Sequence, residues 1–554
     1  MKKVWLLVIL VISFLLRILL ISFGLPSKNL ALTTYNPDEP LSYYTIEKWQ
    51  PRKLDFHPRR VFLWGGFHLY PLAGFLGVAK IFRFVKLGNR EFYIKNLVEA
   101  DKLYLVGRGM MIVFGVLSVW VIFLILKNTY GDKIALLGSV LLSILPAHIF
   151  NSIYVRPDVV MLFFVFLAIY FSIKLVKTQE TKFYILSCFA VGFATGAKLS
   201  GAVYGILPVI AHFLSNGNFK RKFFDIKLYL IPLLCLLFFC FSSPYVILDF
   251  DKTEESFLHY LKINFSLSKG TMSIGQDVLY GSGILSYIKY YLPVGYGVAV
   301  VLLSVIGFCV MLWNVIKEKN KFDILFFISG IIVMLVVSST KNQVVWYTLP
   351  VIPFLVIWAV RGLQIIYNKG KVGRYISLVV GVLTVFYTMV YSFSYWKLYY
   401  EKNVREEASE WIEKNVPKGS KIAIARSYFW TPAVLRQYNP PYEVLEGRDA
   451  TDSGAFDGLK GLENVLDKAE YVVLTEYEFR DVLHPKIKNY FLDQQKVAYE
   501  IFESGNFIKV AEFDKEAKFL GIKFKKNYPP TDWLIPNPKI VVFKNNSLLR
   551  SNDK

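Results

Sequence analysis

The chain has 554 residues, of which 54% are hydrophobic and 17% aromatic, and its mean hydropathy is +0.41. This composition excludes a soluble protein of this size and an intrinsically disordered one. The 64 Lys and Arg residues exceed the 42 Asp and Glu residues by 22, and the whole excess lies before Leu398, in the apolar part. A nucleic-acid-binding protein gathers basic residues in a hydrophilic domain. Basic residues within the apolar part are instead typical of a membrane protein, in which they set the orientation of the chain across the bilayer.

Apolar segments of about 17 to 24 residues recur up to Trp396, which predicts a mainly α-helical polytopic membrane domain over 1–397. The first segment has no small-residue cleavage pattern and is interpreted as an uncleaved span rather than a signal peptide. If the N-terminus lies in the cytoplasm, alternation places five short lysine-rich connections on the same side as the basic N-terminus. The eleven predicted spans are 4–23, 103–126, 134–151, 158–176, 183–199, 200–214, 228–243, 291–316, 323–340, 344–366 and 375–396.

Three regions are predicted to lie outside the cell membrane: a first loop (24–102), a second loop (244–290) and the C-terminal region (398–554). The apolar stretch 61–82 of the first loop is interpreted as a helix on the outer surface, since another crossing would export the lysine-rich connections. The C-terminal region combines a helical pattern with short apolar runs. It is therefore predicted to be an extracytoplasmic α/β domain, with a helix at 401–415 and strands at 421–425, 471–475, 508–513 and 540–543.

Ionisable residues at membrane depth are costly and mark candidate functional sites. All of those found here except His212 fall at or near the predicted outer ends of their spans, which indicates a cationic pocket at the outer face. Snorkelling of single Arg or Lys side chains to the lipid head groups is the alternative. The two histidines of the set are more typical of hydrogen-bonded helix residues than of catalysts. The set comprises Arg17, Arg108, His148, Arg156, Asp158, Lys198 and His212.

Two turns of the first loop carry further charges. Asn36-Pro37-Asp38-Glu39-Pro40 places adjacent carboxylates on a backbone that its prolines restrict. A carboxylate in this position serves either as a general base or as a helix cap. His57-Pro58-Arg59-Arg60 adds a cationic turn, which suits either a substrate phosphate or lipid head groups.

The order of these features resembles the membrane glycosyltransferases of the protein O-mannosyltransferase type, including the lipid A aminoarabinose transferases. The resemblance covers about 1–430. One departure is that many relatives carry Arg-Tyr where this chain has Trp346-Tyr347, so another cation must replace that arginine if it holds a phosphate. The matching pieces are Leu15-Leu16-Arg17, Asp38-Glu39, Val106-Gly107-Arg108, Tyr154-Val155-Arg156-Pro157-Asp158, 192–198 ending at Lys198, 243–249 with Tyr245, 349–354 and 408–419.

The resemblance implies an inverting enzyme that moves a sugar from a polyprenyl-phosphate carrier, such as dolichyl phosphate, to an acceptor on the extracytoplasmic side. Asp38 would be the general base, with Glu39 as the second candidate. The polyprenyl tail would lie between spans, with the stretch after Pro58 closing one side of its groove. The predicted donor-phosphate ligands are Lys198, Arg108, Arg156, Arg59 and Arg60.

The remaining candidates concern the acceptor and a metal. His57, Asp158 and Tyr245 are acceptor contacts or structural residues, and the acceptor is a protein, a lipid or a glycan. A divalent metal on Asp38, Glu39 and Asp158 stays open, with salt bridges to the nearby arginines as the alternative. The predicted location is the plasma membrane, with no nucleic-acid partner.

Two other classes of function compete with an enzyme. A transporter or flippase of an anionic, lipid-linked substrate would use the same cations, but it predicts ionisable residues near the bilayer midplane and paired broken helices. The candidates lie near the outer ends of the spans, which favours the enzyme. A receptor or scaffold explains the buried cations poorly.

Overall fold

The computed structural model describes residues 2–59, 64–265, 278–281, 283–340, 344–447 and 458–547. A helical membrane domain is followed by a C-terminal domain built on a sheet, as predicted. In the described ranges, seven helical segments are long and apolar enough to cross a bilayer, and three shorter apolar helices accompany them. The predicted number of eleven spans stays a prediction. The seven are Leu97–Tyr130, Pro157–Thr178, Phe219–Ser242, Val298–Glu318, Lys321–Ser338, Val345–Tyr367 and Lys371–Asn415, and the three are Leu69–Ile81, Thr181–Ala197 and Leu199–Leu214.

Several of the predicted or observed membrane segments are not single continuous α-helices. The predicted span 134–151 is divided because Pro146 lacks an N–H group and begins a new helix. The segment starting at Val345 opens with a 3-10 helix, Val345–Val351, and the last one consists of Lys371–Tyr400 and Val404–Asn415. The other helices before the C-terminal domain are Lys2–Ile18, Pro26–Asn29, Glu39–Glu47, Arg90–Lys95, Asp132–Ile144, Pro146–Asn151, Tyr245–Leu248, Phe250–Phe265, Ile284–Ser286 and Leu292–Tyr296.

The segment predicted as the first loop docks against the membrane domain at the end of the helix Thr181–Ala197. Its helix Leu69–Ile81 is about 20 Å long, too short to cross a hydrocarbon core of about 30 Å, in agreement with a surface helix. Ahead of it, Gly65 has a φ of +112°, and a Cβ atom there would lie 2.3 Å from the carbonyl oxygen of Gly196. The hydroxyl of Ser243 donates to the carbonyl oxygen of Gly65 at 2.7 Å. This close approach attaches the loop to the end of the helix Thr181–Ala197.

The C-terminal domain contains a five-stranded mixed sheet in the order β2-β1-β3-β7-β4. Strand β1 pairs in parallel with β2 and β3, whereas β7 pairs antiparallel with β3 and β4. The four predicted strands correspond to β1, β3, β4 and β7. The strands are β1 (Lys421–Ile424), β2 (Glu443–Glu446), β3 (Tyr471–Thr475), β4 (Phe507–Phe513), β5 (Ala517–Phe519), β6 (Ile522–Phe524) and β7 (Ile540–Asn545), and the helices are Gly458–Gly461, Glu476–Leu483 and Leu492–Phe502.

Candidate active site

Four of the predicted site residues meet where helices begin or end at the predicted outer face. Asp38 directly precedes the helix Glu39–Glu47. Arg156 and Asp158 flank the first residue of the helix Pro157–Thr178, and Lys198 follows the end of the helix Thr181–Ala197. Both cationic residues have an extended backbone, which turns each chain segment out of its helix at the site. Helix ends therefore bring together side chains that are far apart in the sequence.

The four side chains form one chain of ion pairs. Arg156 Nε lies 3.4 Å from Asp38 Oδ2, and Arg156 Nη2 lies 3.2 Å from Asp158 Oδ2. Lys198 Nζ donates a hydrogen bond of 2.6 Å to Asp158 Oδ1. Asp158 is only 1% exposed, whereas the Asp38 side chain is 22% exposed. Asp158 is thus enclosed between two cations, and Asp38 is the accessible carboxylate of the network.

Of the two roles left open for Asp38, the helix cap has no hydrogen bond to support it. The helix Glu39–Glu47 has Asp38 at its N-cap position, but the Asp38 side chain makes no capping hydrogen bond. Burial raises the pKa of Asp38, and the negative charge of Asp158 adds to this effect, while Arg156 and Lys198 oppose it. A carboxylate with a raised pKa and no structural hydrogen bond to the helix is suited to accepting a proton.

The cations rest on two neighbouring aromatic residues, and the first of them, Trp346, stands where the resemblance implies an arginine. The guanidinium carbon of Arg156 lies 3.7 Å from the ring centre of Trp346, and Lys198 Nζ lies 4.8 Å from that of Tyr347. Such cation–π contacts favour the charged form without occupying N–H groups. Nη1 of Arg156 is buried and has no hydrogen-bond partner among the described residues. The arrangement therefore holds donors that an anionic ligand can use.

Glu39 and Arg108 form a separate, fully buried pair. The guanidinium of Arg108 donates to Glu39 at 2.9 and 2.7 Å, and two further hydrogen bonds to Glu39 come from the N–H of Val155 (2.9 Å) and the hydroxyl of Thr34 (2.6 Å). Arg108 Nη1 also donates to two backbone carbonyl oxygens of the segment after the first helix. Both side chains are 0% exposed. The pair joins the first loop to the helix Leu97–Tyr130 beside Asp38.

Comparison with known proteins bears on the predicted resemblance. The dolichyl-phosphate-mannose-protein mannosyltransferase family matches residues 101–245, the stretch that carries Arg108, Arg156, Asp158 and Lys198. Over these residues the chain is similar to the membrane glycosyltransferases of this family. The predicted resemblance is thereby confirmed. No curated protein sequence matches the chain significantly.

Solved structures of glycosyltransferases show related folds. The apo oligosaccharyltransferase of Archaeoglobus fulgidus has a TM-score of 0.51 and 12% identity, covering 85% of this chain and 69% of that one. ArnT from Cupriavidus metallidurans bound to undecaprenyl phosphate has a TM-score of 0.45 and 11% identity, covering 98% of this chain and 97% of that one. At such identities the likeness concerns the fold alone.

His57, Arg59 and Tyr245, three further predicted ligands, lie in a second cluster that joins the segments predicted as the first and second loops. His57 Nε2 lies 2.9 Å from Asp249 Oδ2. The Tyr245 hydroxyl accepts a hydrogen bond from the N–H of Phe56 at 2.7 Å. Arg59 pairs with an aspartate four residues before it, at 2.8 Å, rather than with the network at Asp38. Arg60 and residues 61–63 lie outside the described residues.

Three further ionisable residues singled out in the sequence have structural partners. Arg17 Nη2 lies 2.7 Å from Nδ1 of His148, and its Nη1 donates to the hydroxyl of Ser13. His212 pairs through Nδ1 with the hydroxyl of Tyr184 at 2.7 Å. These contacts agree with the interpretation of both histidines as hydrogen-bonded helix residues.

The three carboxylates proposed for a metal do not fit a shared divalent ion. The oxygens of Glu39 accept four hydrogen bonds, and those of Asp158 face Lys198 and Arg156. Within the described parts of the chain, no group of three His, Cys, Asp or Glu side chains has a metal-binding arrangement. The three carboxylates instead form salt bridges with nearby cationic side chains, which is the alternative to a metal given above.

Two polar residues at the site were not found by sequence reasoning. His68 is buried with Nε2 3.1 Å from the hydroxyl of Ser42, and burial lowers its pKa to about 3, with Asp158 opposing. Asp532 comes from the C-terminal domain and accepts a 3.0 Å hydrogen bond from the N–H of Trp346. Burial raises the pKa of Asp532 to about 6, against the effect of two backbone N–H groups and Arg156. The only sequence feature that could have pointed to His68 is its position just before an apolar helix. No feature of the sequence around Asp532 pointed to the site.

Proposed function

We propose that this glycosyltransferase moves a sugar from a polyprenyl-phosphate donor to an acceptor on the extracytoplasmic side, with inversion at the anomeric carbon. The observation that carries the proposal is the accessible carboxylate of Asp38 opposite the buried cations Arg156 and Lys198. The matching family is itself described by a dolichyl-phosphate sugar. We place the enzyme in the plasma membrane, with its N-terminus in the cytoplasm and its C-terminal domain outside.

The chemistry follows from the charges. Asp38 takes the proton of the acceptor hydroxyl while the acceptor oxygen attacks the anomeric carbon. The bond from that carbon to the phosphate oxygen breaks in the same step. The electron pair leaves on the lipid phosphate, so a cationic site is needed more than a general acid. Arg156 supplies the N–H groups that lack partners, and Lys198 supplies a second positive charge. The buried pair of Glu39 and Arg108 positions Asp38 rather than binding phosphate.

An apolar cavity beside Lys198 supports a lipid-linked donor. It has a volume of about 350 Å³ and lies between the helix Thr181–Ala197, the helix Ile226–Ser242 and the second loop. Gly65 forms part of its wall, in line with a first-loop segment that closes one side. We assign the first isoprene units to this cavity, which is lined among others by Val191, Leu199, Ala202, Phe239, Val246 and Phe257.

Filling the cavity should affect long-chain donors selectively. In Ala202→Trp, the indole would displace isoprene units and raise the KM for a long-chain polyprenyl-phosphate sugar about tenfold, because each buried methylene contributes about 0.8 kcal/mol. Steady-state transfer with an eleven-unit donor and with a donor that carries a methyl group in place of the polyprenyl chain measures the effect. Val298→Trp, on an exposed face of another helix, is the matched control. An equal effect on both donors, or in both variants, would argue against the assignment.

The raised pKa of Asp38 predicts a pH dependence. Transfer requires the ionised base, so kcat/KM should fall on acidification at a pH above the ordinary aspartate pKa of about 3.9. Since Arg156 lowers the pKa of Asp38, Arg156→Gln should move this acidic limb to still higher pH. The measurement is a profile of kcat/KM against pH for both proteins. A limb that does not move in the variant would contradict the pairing.

The deciding experiment is transfer by the purified protein in detergent with radiolabelled polyprenyl-phosphate sugars. A solution without membrane sides cannot support transport, so labelled acceptor formed there distinguishes an enzyme from the transporter or flippase alternative. Assays with and without a chelator test the open question of a divalent metal. Failure to transfer any sugar from any donor to a protein, lipid or glycan acceptor would overturn the proposal.

A further inference from the structure

A proline-rich segment of the C-terminal domain, Pro529–Asn537 (the insert segment), packs into the membrane domain. Within its own domain it is held by the hydroxyl of Tyr477, which donates to the carbonyl oxygen of Thr531 at 2.9 Å. On the other side, the ring of Trp533 lies 5.8 Å from that of Phe150 and 5.3 Å from that of Tyr395. The segment is thus fixed by both domains.

Asp532, in the middle of the insert segment, caps a helix of the membrane domain. The first N–H groups of a helix have no partner within that helix. At the start of the 3-10 helix Val345–Val351, the N–H of Trp346 donates to Asp532 Oδ2 at 3.0 Å. Asp532 is 7% exposed, and its Oδ1 has no hydrogen-bond partner among the described residues. A buried carboxylate of one domain therefore completes a helix end of the other.

The capped residue is the one that supports Arg156. The guanidinium lies 3.7 Å from the Trp346 ring, whose backbone N–H is held by Asp532. We propose that Asp532 is a positioning residue of the glycosyltransferase, which fixes Trp346 and through it Arg156, so that the donor site is complete only when the C-terminal domain is docked. This inference rests on the proposed function, and it gives the C-terminal domain a part in the reaction.

The test uses the full-length enzyme and compares four variants. Asp532→Ala removes the cap and should lower kcat/KM about 100-fold, since misplacing a catalytic group by about 1 Å has effects of that size. Trp346→Ala should cause a similar loss, and the double variant should be no worse than either single one, because the two residues act as a unit. Asp532→Asn keeps an acceptor oxygen and should restore most of the activity.

The matched control is Tyr477→Phe, which loosens the same segment without touching the cap. It should leave kcat/KM within a few-fold of wild type. Binding of sugar-free polyprenyl phosphate is a second readout, and its Kd should rise about tenfold in Asp532→Ala and Trp346→Ala, as expected for the loss of about 1.4 kcal/mol. Where Asp532→Ala does not fold, Trp346→Ala and Asp532→Asn carry the test.

The outcomes separate this inference from the proposed function. Active wild type with unchanged Asp532→Ala and Trp346→Ala variants would overturn positioning alone. Equal losses in Tyr477→Phe and Asp532→Ala would also overturn it, since they would indicate general domain docking. If wild type transferred no sugar but the two variants still weakened phosphate binding, positioning would stand and the proposed function would fall.

Discussion

The Asp38→Asn variant is expected to lose sugar transfer by about 10²- to 10⁴-fold, the contribution of a positioned general base. Asparagine has nearly the same shape as aspartate but cannot take up the acceptor proton. Because the side chain makes no capping hydrogen bond, the fold should tolerate the change. The measurement is kcat with a radiolabelled donor and saturating acceptor.

Two controls make this result interpretable. Asp251→Asn, the same exchange on an exposed helix of the second loop, should transfer sugar at the wild-type rate. Asp38→Asn should still bind sugar-free polyprenyl phosphate, since the proposed phosphate ligands are Arg156 and Lys198. Transfer at the wild-type rate by a folded Asp38→Asn variant would remove Asp38 from the mechanism and return to Glu39, the second candidate.

The largest effect on stability is expected at the buried pair of Glu39 and Arg108. In Glu39→Leu, the guanidinium of Arg108 would stay buried without its partner, and two further donors would lose their acceptor. Breaking a buried ion pair on one side costs about 3–5 kcal/mol. Chemical unfolding of the purified protein in detergent should show this loss in the free energy of unfolding.

The double variant Glu39→Leu/Arg108→Leu provides the decisive comparison. Replacing both charges with apolar groups removes the unpaired buried charge, so the double variant should be more stable than Glu39→Leu. It also tests the sequence-based prediction that Arg108 binds the donor phosphate. If the double variant keeps a wild-type KM for the donor, Arg108 acts structurally. A large increase in KM with preserved stability would instead favour the phosphate role.

Sequence reasoning was most informative where the lipid bilayer restricts which residues a segment can contain. A bilayer requires long apolar helices, and ionisable residues inside it are rare, so Arg156, Asp158 and Lys198 stood out without any structure. Similarly, alternating apolar runs identified four strands of the C-terminal sheet. The proline-flanked Asp38 was recognisable because its surroundings restrict the backbone. Each of these features can be recognised within one short stretch of sequence, or from the distance of a residue to the end of a predicted helix.

No feature of the sequence indicated which residues of distant segments contact each other. Both carboxylates of the Asp38-Glu39 pair look alike in the sequence, yet packing buries Glu39 against Arg108 and leaves Asp38 accessible. Likewise, the contact of Arg156 with Trp346 joins segments 190 positions apart in the chain, and a third segment, at Asp532, fixes it.

The amino-acid sequence by itself determined the membrane class, the separate C-terminal domain and the group of charges, because burying apolar surface and excluding charge from lipid act on each segment independently. Only the tertiary structure decided which acid of the pair is accessible, which cation keeps N–H groups without a partner and which segment of the C-terminal domain contacts Trp346. Hydrogen bonds and ion pairs act over about 3 Å, and only the packing of the whole chain sets such distances.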